Sequence, residues 1–133
     1  MRIMLDTNIL ISMFVFPSEK MNSLKHLLCG EHHIVICTYV VEEMKAVVAQ
    51  KFPSKKADLE WFFQSFPFTL VYTPDYFNEE AYPGIRDITD LPILVSAILD
   101  DVDILITGDK DFAEVEIEKP EILKPHEFLD LYF

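Results

Sequence analysis

MLDTNIL, residues 4–10, contains the end of the first predicted strand and the first candidate functional position. Apolar residues indicate a strand over 2–5, and apolar residues resume after Asn8, but Asp6 and Thr7 interrupt the run. An ionised carboxylate is costly inside an apolar strand, so the strand is expected to end where Asp6 begins. In parallel α/β sheets, ligands bind beyond the carboxyl ends of the strands. Asp6 is therefore predicted to lie at the sheet edge where binding sites form.

Short apolar runs alternate with helix-length segments along the rest of the chain. Strands are predicted at 2–5, 33–37, 68–72 and 103–107, and the pattern allows a fifth at 121–125. Residues 8–16 are an apolar helix or loop, and further helical segments are predicted at 20–29 (ended by Gly30), 39–51, 55–66, 75–82, 90–100 and 126–131. Apolar strands alternating with helices are typical of a parallel sheet covered on both faces. The predicted fold class is α/β, a three-layer α/β/α sandwich with a mainly parallel sheet of about four to five strands.

Composition limits the classes of function. The 133 residues fit a single domain over 1–133, and no Gly-rich phosphate-binding loop is present. The formal net charge of −12 makes non-specific nucleic-acid binding through the overall field unfavourable, although a bound divalent metal would supply local positive charge. No run approaches the roughly 20 apolar residues of a membrane span, so a cytoplasmic protein is expected.

Four segments place carboxylates where this fold would build a site. They supply Asp6 after the first strand, Glu43 in helix 39–51, Asp90 at the start of helix 90–100, and Asp109 and Asp111 after strand 103–107. At ~100° per residue, Glu43 lies about 40° from Val47 and so borders the apolar stripe of its helix. Glu42 falls on the opposite, solvent-facing side. Glu43 is therefore the carboxylate of this pair that can reach a cleft.

Each of these residues also has an ordinary structural explanation. Asp90 can serve as a helix N-cap, and Asp109 with Asp111 can form an Asp-rich turn. Thr7, Asn8 and Thr107 can be turn residues or can orient the neighbouring carboxylates.

The convergence of these carboxylates favours a metal site. Two carboxylates ~5 Å apart repel by roughly 3 kcal/mol at an effective dielectric of ~20. Arg86 and Lys110 are too few to neutralise the cluster, and hard oxygen ligands suit Mg²⁺ or Mn²⁺, as one or two ions. A metal-activated water would then hydrolyse a phosphodiester.

Four motifs in this order resemble one protein family. MLDTNIL, VVEEMKAVV, RDITDLPILVSAI and ILITGDKDF are similar to the motifs of PIN-domain metal-dependent ribonucleases, more narrowly the toxin components of prokaryotic toxin–antitoxin pairs. The resemblance implies a Mg²⁺ or Mn²⁺ site whose acids match Asp6, Glu43, Asp90 and Asp109, with Asp111 an additional candidate and Asp87 at a common acidic position. It also implies cleavage of single-stranded RNA, a homodimer, and inhibition by a small antitoxin protein.

Two other functions remain open from the sequence. In an Asp-nucleophile phosphohydrolase, Asp6 would attack a phosphoryl group, but Asn8 stands where such sites usually carry a second Asp. A non-catalytic PIN-like module or receiver-type switch would bind metal without hydrolysis. The aromatic segment 59–68 is either core or a dimer face.

Overall fold

The sheet has the parallel architecture expected from the sequence. The computed structural model describes residues 1–16 and 18–132, and within them five strands form one sheet in the order β3-β2-β1-β4-β5. The strands are β1 (Arg2–Leu5), β2 (His33–Cys37), β3 (Thr69–Val71), β4 (Ile104–Ile106) and β5 (Glu121–Leu123), and every neighbouring pair is parallel. The predicted α/β fold is confirmed.

The centre of the sheet is also the centre of the hydrophobic core. Ile3 of β1 pairs with Ile34 of β2 on one side and with Ile104 of β4 on the other. All three residues of β4 are buried, as are Ile3, Met4 and Leu5 of β1. Such continuously apolar strands require cover on both faces, and the alternation of apolar runs with helix-length segments predicts that helices provide it.

Helices connect the strands and supply that cover. They are α1 (Thr7–Phe14), α2 (Glu19–Glu31), α3 (Thr38–Lys51), α4 (Lys56–Ser65), α5 (Leu91–Leu99) and α6 (Pro125–Tyr132). Single 3₁₀ turns lie at Pro53–Lys55, Glu79–Ala81, Ile88–Asp90 and Lys110–Phe112. In the described part of the chain, no helix has the length and apolar character needed to cross a membrane.

Two predicted helix boundaries are wrong. Helix α2 continues through Gly30, because a helical Gly costs only about 1 kcal/mol and the buried Leu24 and Leu28 hold the helix in place. The predicted helix at 75–82 is only the 3₁₀ turn Glu79–Ala81, which the Asn78 side chain caps. Pro83 follows Tyr82 and keeps it extended, so this turn cannot propagate.

The aromatic segment of α4 belongs mainly to the core. Leu59, Phe62 and Phe66 are buried, and the Phe62 and Phe66 rings stack with centroids 4.8 Å apart. Trp61 lies on the other side of the helix and is 69% exposed.

Candidate functional site

The strand order creates a crevice between β1 and β4. From β1 the chain runs outward through β2 and β3, and it then returns to place β4 on the opposite side of β1. Ligands of open parallel sheets bind at such a reversal, beyond the carboxyl ends of the strands. Asp6 follows β1 there and Thr107 follows β4, and the Asp6 N–H donates to the Ile106 carbonyl at 3.2 Å.

Asp6 is a buried carboxylate with both oxygens engaged. It is 3% exposed, Oδ1 accepts the Ile9 N–H at 3.0 Å as the N-cap of α1, and Oδ2 accepts the Thr107 hydroxyl. Burial above all, and to a smaller extent the negative charges of Asp109 and Glu43, raise the pKa of Asp6 to about 6 against the lowering effect of the two hydrogen bonds. The fold therefore holds a carboxylate where its ionised form is unfavourable without a nearby cation.

The loop after β4 links Asp6 to Asp109 and Asp111. The Thr107 hydroxyl oxygen accepts the Asp109 N–H at 3.0 Å, and Asp109 Oδ1 accepts the Asp111 N–H at 2.9 Å. The buried ring of Phe112 anchors the 3₁₀ turn that follows. The Asp-rich turn anticipated from sequence therefore exists, and it holds Asp109 close enough for its charge to act on Asp6.

Helix α3 brings Glu43 to the same edge. Thr7 donates its hydroxyl to Glu43 Oε1 at 2.5 Å, and Glu43 is half-buried. Glu42 is exposed and pairs with Lys45 at 3.6 Å. This is the placement that the helix phase predicts for the two glutamates.

A second group of carboxylates forms around the 3₁₀ turn Ile88–Asp90. Asp87 caps the turn by accepting the Thr89 N–H at 3.0 Å, and one oxygen from each of Asp87, Asp90 and Asp111 lies within 4.8 Å of the others. The Tyr39 hydroxyl donates to the Thr89 carbonyl at 2.7 Å and so fixes this turn against α3. We call these three residues the carboxylate trio.

Asp90 is the least compensated member of the trio. It occupies the N-cap position of α5, but its side chain makes no capping hydrogen bond, and Oδ2 is buried with no partner among the described residues. Burial above all, together with the negative charges of Asp109, Asp87 and Asp111, raises the pKa of Asp90 to about 7. Capping therefore does not explain this carboxylate.

The donor set fits a hard divalent cation. Oxygen ligands from carboxylates are what Mg²⁺ and Mn²⁺ prefer, and a cation would relieve both the repulsion and the unpartnered Asp90 Oδ2. Nearby basic charge is limited: Arg86 Nε lies 3.7 Å from Asp111 Oδ1, and 73% of the Arg86 side chain is exposed.

The predicted site residues are thus only partly brought together. One group contains Asp6, Thr7, Glu43, Thr107 and Asp109. The second group is the carboxylate trio, and the charge of Asp109 links the two groups because it raises the pKa of Asp90 as well as that of Asp6. Asn8 is exposed and makes no side-chain hydrogen bond within residues 1–16 and 18–132. The sequence signal for Asp87 is the i,i+3 spacing of RDITD, which aligns Asp87 with Asp90 on a 3₁₀ turn.

The fold and the site together define an α/β protein whose carboxylates cluster at the point where the strand order of a parallel sheet reverses. A family model described as PIN domain matches residues 2–111, and the chain belongs to this family. The likeness to VapBC2 from Rickettsia felis, solved bound to a DNA fragment from their promoter, has a TM-score of 0.70 and covers 92% of this chain and 97% of that one. At 22% identity, this likeness concerns the fold alone. No curated protein sequence matches the chain significantly.

Proposed function

We propose that the protein is a metal-dependent endoribonuclease that cleaves single-stranded RNA, and that it is the toxin of a toxin–antitoxin pair. The observation that carries the proposal is the cluster of carboxylates at the sheet reversal, above all the buried and unpartnered Asp90 Oδ2 within the trio. Membership of the PIN domain family supports a nuclease over other metal-binding functions.

Asp6, Glu43, Asp90 and Asp109, with Asp111, would hold one or two Mg²⁺ or Mn²⁺ ions, and Asp87 is a further candidate ligand. When bound, such an ion lowers the pKa of a water molecule and supplies a hydroxide nucleophile near neutral pH. The chain itself orients the ligands: Thr107 holds Asp6, and Thr7 holds Glu43. Hydrogen bonds of this kind to a ligand carboxylate fix the direction of its oxygens.

The Asp-nucleophile alternative has less support. A nucleophilic carboxylate must present an oxygen to the phosphoryl group. Asp6 is 3% exposed, and each of its oxygens already accepts a hydrogen bond. A role in holding a cation fits that environment better than attack on a substrate.

The assembly is proposed on the family resemblance. The whole chain, 1–133, would act as a single domain and as a homodimer in the cytoplasm, where a small antitoxin protein would inhibit it. The likeness to the VapBC2 structure supports such a partner, and the formal charge of −12 suits a basic antitoxin segment.

The direct test is cleavage of a mixed-sequence single-stranded RNA by the purified protein with Mn²⁺, with Mg²⁺ and with EDTA. We expect cleavage that requires metal, is lost in Asp6→Asn and is retained in Asp75→Asn, an exposed acid outside the cluster. Absence of cleavage by the wild-type protein, together with metal binding lost in Asp6→Asn, would support the non-catalytic module instead. A phosphoenzyme trapped on Asp6 would support the phosphohydrolase.

A further inference from the structure

Two cationic side chains lie in a concave surface that contains Asp87 and Asp111 of the carboxylate trio. Residues 85–88 and 109–111 line an open concavity of about 680 Å³. It holds Arg86 and Lys110 beside Asp87, Asp109 and Asp111. The concavity thus places two of the 11 basic side chains of this acidic chain beside three carboxylates.

Arg86 is weakly held by the protein. Its contact with Asp111 runs through Nε at 3.7 Å, well beyond the roughly 2.7–2.9 Å of a charge-assisted hydrogen bond. In the described part of the chain, the Arg86 guanidinium makes no other ion pair and no hydrogen bond, and the side chain is 73% exposed. An exposed pair of this geometry contributes little to folding, so stability does not explain the position of the guanidinium.

Lys110 has a similar environment. It lies between Asp109 and Asp111 in sequence, is exposed, and has no carboxylate oxygen within 4.0 Å of its ammonium among residues 1–16 and 18–132. Two other cations are engaged, by contrast: Lys119 contacts Asp101 at 3.1 Å, and Arg2 pairs with Asp100. The two cations of the concavity are therefore available to a ligand.

We propose that Arg86, assisted by Lys110, binds a phosphate of the RNA backbone next to the carboxylate cluster; this inference rests on the proposed function. A guanidinium offers a planar fork of donors that matches phosphate oxygens, and its weak contact with Asp111 leaves that fork free. Because the overall charge of −12 repels RNA, a local cation is needed to hold a phosphate beside the acidic cluster.

The test measures RNA binding separately from cleavage. In the Asp6→Asn background, affinity for a labelled single-stranded RNA is measured over roughly 50–200 mM salt. Arg86→Gln should weaken binding about tenfold and reduce the salt slope by about 0.7, the value for one lost phosphate contact. Lys110→Gln should act in the same direction, Arg86→Lys should retain the slope with part of the affinity, and Lys45→Gln should match the parent.

Cleavage kinetics and thermal stability distinguish a failure of the phosphate-binding inference from a failure of the nuclease proposal. With Asp6 intact, Arg86→Gln should raise KM more than it lowers kcat, with an unchanged melting temperature. If the wild type cleaves RNA but Arg86→Gln changes neither affinity nor slope, or changes only Mn²⁺ affinity, the phosphate role is wrong and the nuclease proposal stands. If the wild type neither binds nor cleaves RNA, both are wrong.

Discussion

The hydroxyl of Thr107 donates a hydrogen bond to Oδ2 of Asp6, although 101 positions separate the two residues in the chain. The contact joins the carboxyl ends of β1 and β4 across the reversal of the sheet. Because the Thr107 oxygen also accepts the Asp109 N–H, one hydroxyl orients two of the proposed metal ligands. We therefore regard Thr107 as the residue that positions Asp6 against Asp109.

Thr107→Val should impair cleavage without unfolding the protein. The substitution keeps the shape of the buried side chain but removes both hydrogen bonds, and loss of a ligand-orienting contact typically costs about 10- to 100-fold. The bond lowers the pKa of Asp6, so the acidic limb of the pH–rate profile should also move to higher pH. Thr107→Ser should behave like the wild type. Equal rates for the Val and Ser variants would show that the hydroxyl has no positioning role.

Glu43→Gln should reduce cleavage by roughly tenfold or more, while Glu42→Gln should leave it nearly unchanged. The two residues are neighbours on α3, but only Glu43 accepts the Thr7 hydroxyl at the sheet edge. Glu42 is an exposed partner of Lys45. Initial rates on one RNA substrate provide the comparison, and the reverse ranking would place the active site elsewhere.

The strands and the phase of α3 were predictable because they depend on local patterns. The apolar runs RIML and HIVIC have the length and composition of buried strands, and the period of about 3.6 residues separates Glu43 from Glu42. The rule that sites form at the carboxyl ends of parallel strands then selects Asp6 and Asp109 without a structure.

Other features depend on long-range packing or on single turns. Gly30 does not end α2, since burial of Leu24 and Leu28 offsets its low helix propensity. The absence of a capping hydrogen bond from Asp90 cannot be predicted, because Asp90 has the position and residue type of an ordinary N-cap. The charges of Asp109 and Asp111 also act on Asp90, and the positions of these two residues depend on β4 and the loop after it.

The metal-free protein should lose stability as pH rises from about 4 to about 6. The pKa of Asp6 is about 6 in the folded protein against an ordinary value of 3.8, so the folded state binds more protons in this window. The contribution of Asp6 to the free energy of unfolding is therefore fully present below the pKa of Asp6 in the unfolded chain. It falls by on the order of 3 kcal/mol as pH rises through the pKa of Asp6 in the folded protein. Melting temperatures in EDTA across this range measure the loss.

Asp6→Asn should make that slope shallower, because the amide does not ionise, but should not remove it, since Asp90 keeps its raised pKa. Asp75→Asn should leave the wild-type slope unchanged. Addition of Mn²⁺ at neutral pH should stabilise the wild type more than Asp6→Asn, since binding to the folded state raises its stability. Identical profiles of melting temperature against pH for the wild type and Asp6→Asn would mean that burial does not destabilise the ionised form of Asp6.

Asp87→Asn should weaken Mn²⁺ binding, though less than Asp90→Asn. Asp87 is exposed and already accepts two hydrogen bonds from Thr89, which lower its pKa, while Asp90 Oδ2 has no partner within the described chain. Titration calorimetry of the two variants beside the wild type provides the ranking. A larger loss for Asp87→Asn than for Asp90→Asn would contradict the assignment of Asp90 as the principal ligand of the trio.

The most direct measurement is anomalous diffraction from crystals of the wild-type protein grown with Mn²⁺, beside crystals of Asp90→Asn prepared in the same way. The predicted result is a Mn²⁺ peak at the sheet reversal, in direct contact with Asp90 Oδ2 and neighbouring carboxylates, that is absent or strongly reduced in the variant. A wild-type crystal grown at a saturating Mn²⁺ concentration that shows no ion at these carboxylates, or Mn²⁺ only elsewhere, would contradict the metal site on which the proposed function depends.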